Sequence, residues 1–502
     1  MKDIKIWTQN REQVSDSILK GAEIEETLTH YGANEFAIDF LMHNGIWKQL
    51  MMEPKRGKNN NGKDWKKLSG MAILLELLPV GQLSYADKII KDAKLMMELG
   101  FTFTEIETAK QKEKGVIHRD TLRNYFKAIP SNKSMKEFYS YINFFREKRW
   151  LRGKTYVADG FDIEVFGETY EGIGKKYDSK ESRWKYGYKV VILMNVEEDR
   201  ERIVGFAMGP INTDERALLL KIFEDLEKYV DKVKNIMDVI VLDRGYWGYD
   251  FLEKTIVGKY GIDYVIIAKK DFLFVKEDLR HLIDSKQLHF QERNLYNRSE
   301  DKWESVKVAF VKDLFHGYKN KKEGFLGTLN VVVMKKKEGK EEKEVIYVTN
   351  KKVPKNPLKI VQLYGCRWTI ENKGIRDLSQ RWKIRTLPGR TLNAVTARIA
   401  LVLKLYNAMK VMEMKNGKEW QQNKDAIKKM GEKSFIGGFG LIVYTEEHFA
   451  TLSPKEFERL IAERTRRITN KETNERIALE LSKLKDCLPE DRLQELRHKL
   501  LI

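Results

Sequence analysis

Between residues 154 and 270 the hydrophobic period changes in an order that few folds accommodate. "KTYVADGFDIEVFG", "WKYGYKVVILMNVE" and "RIVGFAMGP" read as three strands in series. "TDERALLLKIFEDLEKYVDKV" then takes up helical spacing, with Thr213 placed as a cap. "DVIVLD" is a fourth strand, apolar on both faces and therefore buried. "GYDFLEKTIVGKYG" is a helix and "DYVIIAKKD" a fifth strand. Three strands in series followed by helix–strand alternation predict a mixed α/β sheet.

The flanks read differently. Residues 1–53 carry helical spacing in "FAIDFLMHNGIWKQLMM", and Pro54 to Lys67 form a basic, Gly- and Asn-rich loop. In "FTFTEIETAKQKEKGVIHRDTLRNYFKAIP" two short helices are expected. Thr102 or Thr104 caps the first; His118 or Asp120 caps the second, which ends before Pro130. The second bears Arg119, Arg123, Asn124 and Lys127, a pattern shared by helix-turn-helix DNA readers and by ordinary basic helical hairpins. From about 272 to 349, "SVKVAFV", "LNVVVM" and "EVIYVT" alternate as an antiparallel β insertion would. A long helix, "NPLKIVQLYGCRWTIENKGIRDLSQRWKI", follows, then a second, and a charged, mostly helical C-terminal part. The expected division is a helical region over 1–150, an α/β core over 151–410 and a helical region over 411–502.

With 93 Lys and Arg against 74 Asp and Glu, the net charge is +19, which calls for a polyanionic partner, nucleic acid first. Cys366 and Cys487 are the only cysteines, and the eight histidines form no HxH or HxxxH pair, which excludes a disulfide framework and a Cys-rich zinc site and argues against a His-ligated metal. No apolar run is long enough to span a bilayer, and the N-terminal stretch lacks the apolar core of a secretory signal, so a soluble protein without a membrane partner is expected.

Three acids sit inside otherwise apolar elements: Asp159 in the first strand, Asp243 ending the fourth, and Glu371 on the late helix. A carboxylate in such a place is costly to desolvate unless something pairs with it. Any one of them alone is read as a salt bridge or a solvated strand end. Three facing one spot could hold hard divalent cations through oxygen, and two such ions suit phosphodiester cleavage. Tyr364, Arg367 and Glu371 follow at i, i+3 and i+7, within roughly 60° on one helix face. That is a carboxylate beside two phosphate contacts, or an i,i+4 ion pair.

"YVADG", "VLDRGYWG" and "LYGCRWTIEN" resemble the three motif blocks of DDE transposases of the insertion-sequence-4 type. The resemblance covers roughly 150–410, and its third block, Tyr-x2-Arg-x3-Glu-x6-Lys, is matched by Tyr364, Arg367 and Glu371. The Lys position falls on Leu378; Arg381 is the nearest basic residue, about 80° from Glu371 around the helix. "GPINTDE" resembles a further block, with Asp214 as its acid. The resemblance implies an RNase H-like core with a β insertion. It implies catalysis by Asp159, Asp243 and Glu371 with two Mg²⁺, or Mn²⁺ in their place, and phosphate contacts from Tyr364, Arg367 and Arg381. The partner would be double-stranded DNA, as transposon ends and as target, bound by a homodimer in the bacterial cytoplasm at the nucleoid. Arg119, Arg123 and Lys127 would contact the ends. Hairpin-forming members hold an extruded base against an aromatic ring; Trp303 and Trp247 stand in suitable segments, though packing explains a Trp equally well. Two other functions fit the same sequence: a catalytically inactive, DNA-binding descendant, and an RNase H-like nuclease without strand transfer.

Overall fold

The computed structural model describes residues 8–29, 32–55, 64–77, 93–197, 201–268, 273–297, 302–320, 324–338, 341–353, 355–429, 440–445, 448–452 and 454–483, with a few single positions besides. Its strands, in chain order, are β1 (Thr8–Gln9), β2 (Glu25–Thr29), β3 (Thr155–Val165), β4 (Gly174–Asp178), β5 (Arg183–Asn195), β6 (Arg202–Pro210), β7 (Val239–Leu242), β8 (Asp263–Ile267), β9 (Gln291–Asn297), β10 (Lys302–Asn320), β11 (Gly324–Glu338), β12 (Glu341–Thr349), β13 (Gly440–Tyr444) and β14 (His448–Leu452).

The central sheet runs β6-β5-β3-β7-β8. The β6–β5 and β5–β3 pairs are antiparallel, and β3–β7 and β7–β8 are parallel. That order is the RNase H-like arrangement the sequence predicts. Its cause is legible in the connections. Short links join the first three strands, which can therefore fold back as meanders, whereas helices Glu215–Tyr229 and Asp250–Lys259 carry the chain over to each parallel strand. β7 is buried at all four positions, as its uninterrupted "VIVL" requires.

The β insertion is continuous with this core. β12 pairs antiparallel with β8 through Tyr347–Ile267, Val348–Ile266 and Thr349–Val265, and β11, β10 and β9 extend the sheet outward. The "KKKEGKEEK" turn joins β11 to β12, ending on the pair Glu338–Glu341.

Helix Leu392–Lys429 lies at the centre of the helical layer. From Ala394 to Met412 nearly every apolar side chain is buried, as expected of a helix that is hydrophobic all round. It packs on helices Trp65–Leu77, Arg119–Lys127 and Ser131–Glu147, so one apolar core runs from Ala37 to Met412. The structure also adds strands to segments expected to be helical. β2 pairs with β13, β13 with β14, and β14 with β1, joining the two ends of the chain over a small core of Val14, Ile18, Val443, Ala450, Leu452 and Leu460. These strands are too short for period alone to show, and each is completed by a partner some 400 residues away in sequence. Among the described residues, no helix is long and apolar enough to cross a membrane.

Candidate active site

The parallel register between β3 and β7 brings two of the three acids together. Thr155 faces Val239, Tyr156 faces Ile240 and Val157 faces Val241. Continued two residues, that register sets Asp159 beside Asp243, just where β7 ends. Because β7 stops at Leu242 while β3 runs on to Val165, this edge of β3 is open. A cavity of about 560 Å³ occupies it, and Asp159, Asp162, Glu164, Lys189, Glu371 and Arg385 are among the residues lining it. Side chains from both faces of β3 reach the cavity for that reason.

Glu371 comes from the other side. The late helix is not one regular α-helix: Leu358–Gly365 and Arg367–Thr369 lead into a widened π-type stretch, Ile370–Ile375, before Arg376–Gln380. Such stretches cost regular hydrogen bonding and recur at functional sites. Gly374 packs on Met194 of β5, which fixes the helix against the sheet. Arg367 Nη1 lies 2.6 Å from Glu371 Oε1, and its guanidinium sits 5.9 Å from the ring of Tyr364. Burial pushes the Tyr364 hydroxyl up to about 12, so at neutral pH it donates hydrogen bonds rather than carrying charge.

The electrostatics tie the acids into one constellation. Burial pushes the Asp159 carboxyl up to about 6; the Gly160 amide and Arg367 pull it down, and Glu215 and Glu371 add repulsion. Gly160 N donates to Asp159 Oδ1 at 2.8 Å. The buried Tyr246 hydroxyl is held far above its ordinary range by burial and then by Glu215, Asp159 and Asp243, which places those three carboxylates around it.

Glu215 was not visible to sequence reasoning. The acid singled out there, Asp214, is the N-cap of helix Glu215–Tyr229: its Oδ1 accepts from Arg216 N at 2.8 Å, and Arg216 Nη2 lies 2.5 Å from Oδ2. That hydrogen bonding holds the Asp214 carboxyl below the usual range. The next residue, Glu215, instead lies over Gly160, where an added Cβ would meet its carboxyl carbon at 2.6 Å. Only glycine admits it. Lys189, nearly buried, bridges Asp162 at 2.5 Å and Glu215 at 3.0 Å, and these partners outweigh its burial and hold the ammonium above its ordinary range.

The remaining sequence candidates are dispersed. Leu378 is fully buried. Arg381 lies 3.7 Å from Asp377, and the extra cation that lines the acid cavity is Arg385, beyond the helix end. Thr102 caps helix Phe103–Gln111 in a reciprocal capping box with Glu105, and His118 caps helix Arg119–Lys127, whose Arg119, Arg123 and Lys127 are exposed. Trp303 is 69% exposed and stands 5.3 Å from Tyr296, centroid to centroid, whereas Trp247 is half-buried against the core.

Carboxylate oxygens from three elements are the donor set that Mg²⁺ or Mn²⁺ takes. Asp159 is buried with more negative than positive charge near it, an imbalance a cation relieves. As the side chains stand, no three acidic, His or Cys groups among the described residues are close enough to enclose an ion, and Glu371 is turned onto Arg367. The donor set fits in kind, and rotation of Glu371 off Arg367 is the movement that would complete it.

Residues 150–408 match the family described as transposase DDE domain. No curated protein matches the chain in sequence. One solved structure, described as a cryo-EM structure of the piggyBac transposase synaptic complex with hairpin DNA, aligns at 11% identity over 95% of this chain and 88% of that chain, with a TM-score of 0.36. With just over half its length matched, and with Asp159, Asp243 and Glu371 distributed over an RNase H-ordered sheet and its late helix, the chain belongs to the transposase DDE domain family.

Proposed function

We propose that the protein is an active transposase. It binds the terminal inverted repeats of its element, hydrolyses a DNA strand there, and joins the freed 3′ end to target DNA. The observation that carries this reading is the placing of Asp159 beside Asp243 at the carboxyl ends of adjacent parallel strands, with Glu371 lining the same cavity as Asp159. Asp159, Asp243 and Glu371 would hold two divalent cations, which supply Lewis acidity at the scissile phosphate and lower the barrier to attack by an oxygen nucleophile.

The chain's own side chains position the reactants. Tyr364 donates a hydrogen bond, and Arg367, once released by Glu371, offers its guanidinium to phosphate oxygens. Lys189 keeps Glu215 and Asp162 neutralised, so that neither competes with Asp159. In the first step a water oxygen bonds to phosphorus and the bond to the 3′ oxygen breaks, leaving a 3′-hydroxyl. In the second, that hydroxyl bonds to a target phosphorus and the target's own 3′ oxygen leaves. No protein nucleophile is needed. A second copy of the chain, at the other end of the element, completes the assembly.

The test uses DNA carrying the inverted repeats that flank the gene, with Mg²⁺. The wild type is expected to nick at the repeat boundary and to give joined product from pre-cut ends. Asp159→Asn and Asp243→Asn are expected to bind the repeats and cut nothing, because phosphate contacts elsewhere persist. Cutting without joining would replace this reading with a nuclease, and binding without cutting by the wild type would replace it with an inactive regulator.

A further inference from the structure

A second cavity, of about 500 Å³, lies between the Arg119–Lys127 helix and the segment leading into the Leu392–Lys429 helix. Its walls include Arg123, Asn124 and Lys127 on one side, Arg390 and Thr391 on the other, and Tyr170 between them. No carboxylate lines it. Arg123 is paired with Asp120 on its own helix, so the cavity's charge is set by Lys127 and Arg390. The Arg390 guanidinium lies 5.9 Å from the centre of the Tyr170 ring. Two cations, an amide, a hydroxyl and an aromatic face in a cavity of this size are what a phosphate with a flat, polar-edged group attached requires.

The walls are fastened by polar ties. Glu171 N donates to Arg390 O at 2.9 Å, and Leu392 N donates to Glu171 Oε2 at 2.9 Å. Asn393 Oδ1 accepts from Ser131 N at 2.9 Å and Oγ at 2.8 Å, and Asn393 Nδ2 donates to Lys127 O at 3.4 Å. Upstream, the buried Arg398 donates to the carbonyls of Lys383, Ile384 and Thr386. The cavity is therefore preorganised, which lowers the entropic cost of filling it.

The same segment reaches the acid cavity. Arg385 lines that cavity and Arg390 lines this one. Five residues of extended chain span at most about 18 Å. At roughly 3.4 Å per nucleotide along one strand, that is about five nucleotides.

Resting on the transposase reading above, we infer that this cavity is a nucleotide subsite. It holds one phosphate and its sugar or base from the DNA strand, within about five nucleotides of the cleaved bond. Lys127 and Arg390 take the phosphate, and Tyr170 and Asn124 face the attached group.

Single methylphosphonate linkages, which remove one phosphate charge at a time, test this on the flanking-repeat DNA. Binding is measured by fluorescence anisotropy without divalent metal. With the wild type, a neutral linkage at one or two positions inside the five-nucleotide window weakens binding roughly tenfold. In Lys127→Ala/Arg390→Ala the same linkage has no further effect, because the two changes remove one interaction. The variant's dependence of log affinity on log salt also falls by about one to two. Tyr170→Leu weakens binding and leaves that salt slope unchanged. All three side chains are at least partly exposed, and melting curves matching the wild type show that the variants fold. A linkage penalty equal in variant and wild type, or none inside the window, overturns the subsite while leaving the function intact. A wild-type protein that neither binds nor cuts the repeats overturns the function instead.

Discussion

Two arginine–glutamate pairs in this molecule have the same chemistry and opposite settings. Arg398 and Glu76 are 2% and 3% exposed and meet at 2.7 Å, joining the Trp65–Leu77 helix to the Leu392–Lys429 helix. Arg398 spends its remaining donors on three backbone carbonyls. Arg367 and Glu371 meet at 2.6 Å, but at 23% and 43% exposure, and Glu371 lines a cavity. The first pair is closed. Nothing outside the protein can compete for it, and burial pushes the Glu76 carboxyl up against Arg398's pull, so its contribution is to hold the 383–386 segment. The second is exchangeable: a partly solvated pair is worth about 1 kcal/mol or less, so a phosphate or a cation can displace either member. Ion pairing by itself therefore does not mark a site; what remains open around the pair does.

The largest effect should fall on catalysis at the open pair. Glu371→Gln is expected to lower strand cleavage at least about 100-fold, since Lewis-acid assistance is worth several kcal/mol. Its thermal stability and its affinity for DNA should stay near wild type. A Glu371→Gln protein that cuts at a normal rate in Mg²⁺ removes the third acid from the site.

The closed pair should behave in the reverse way. Glu76→Gln leaves Arg398 charged and buried without its counter-ion, and is expected to cost about 3–5 kcal/mol in urea unfolding. Glu76→Leu/Arg398→Met removes both charges and should recover much of that loss. Recovery should be incomplete, because the carbonyls of Lys383, Ile384 and Thr386 lose their donor. Equal unfolding of wild type and Glu76→Gln would erase the distinction between the two pairs.

A smaller effect separates residues along the late helix. Arg367→Ala should reduce cleavage on the order of tenfold, through loss of one charged phosphate contact. Arg376→Ala should change it less than about twofold, since surface side chains away from a site contribute little. Arg376 is exposed and donates to Asn372 Oδ1 at 3.0 Å. Equal losses from both would mean that Arg367 does not face the substrate.

What could be read from the sequence, and what could not, follows the same division between local and tertiary causes. The five core strands were legible because each carries its own period, and the order of Asp159 and Asp243 followed from strand positions alone. Glu215 was hidden by its neighbour. Asp214 has the look of a functional acid, yet it caps a helix, and only the packing of that helix over Gly160 brings Glu215 toward Asp159. The widened turn at Ile370–Ile375 leaves no periodic signature, so regular 100° steps misplace residues beyond it; the cation that reaches the cavity is Arg385. Tyr170 and Arg390 are far apart in sequence and meet through a backbone tie at Glu171.

The smallest expected effect concerns the two tryptophans, which repeat the contrast of open and closed in aromatic form. Trp247 packs half-buried against the core, next to the turn that follows Asp243. Trp303 stands 69% exposed on β10, opposite Tyr296 on β9. An exposed indole beside a tyrosine offers a stacking face, and stacking of an extruded base is worth about 1–3 kcal/mol. Trp303→Ala should therefore slow a second-strand step about fivefold or more, without slowing first-strand nicking and without a change in melting temperature. Trp247→Ala should lower stability instead, because it removes packed area. End-labelled DNA on a denaturing gel reads the first outcome as nicked product that accumulates while hairpin product stays low. If the wild type forms no hairpin at all, Trp303 has no base to hold and the open aromatic pair serves some other contact. If Trp303→Ala destabilises the fold as much as Trp247→Ala does, its exposure is no guide to its role, and the contrast fails for aromatic side chains even where it holds for the ion pairs.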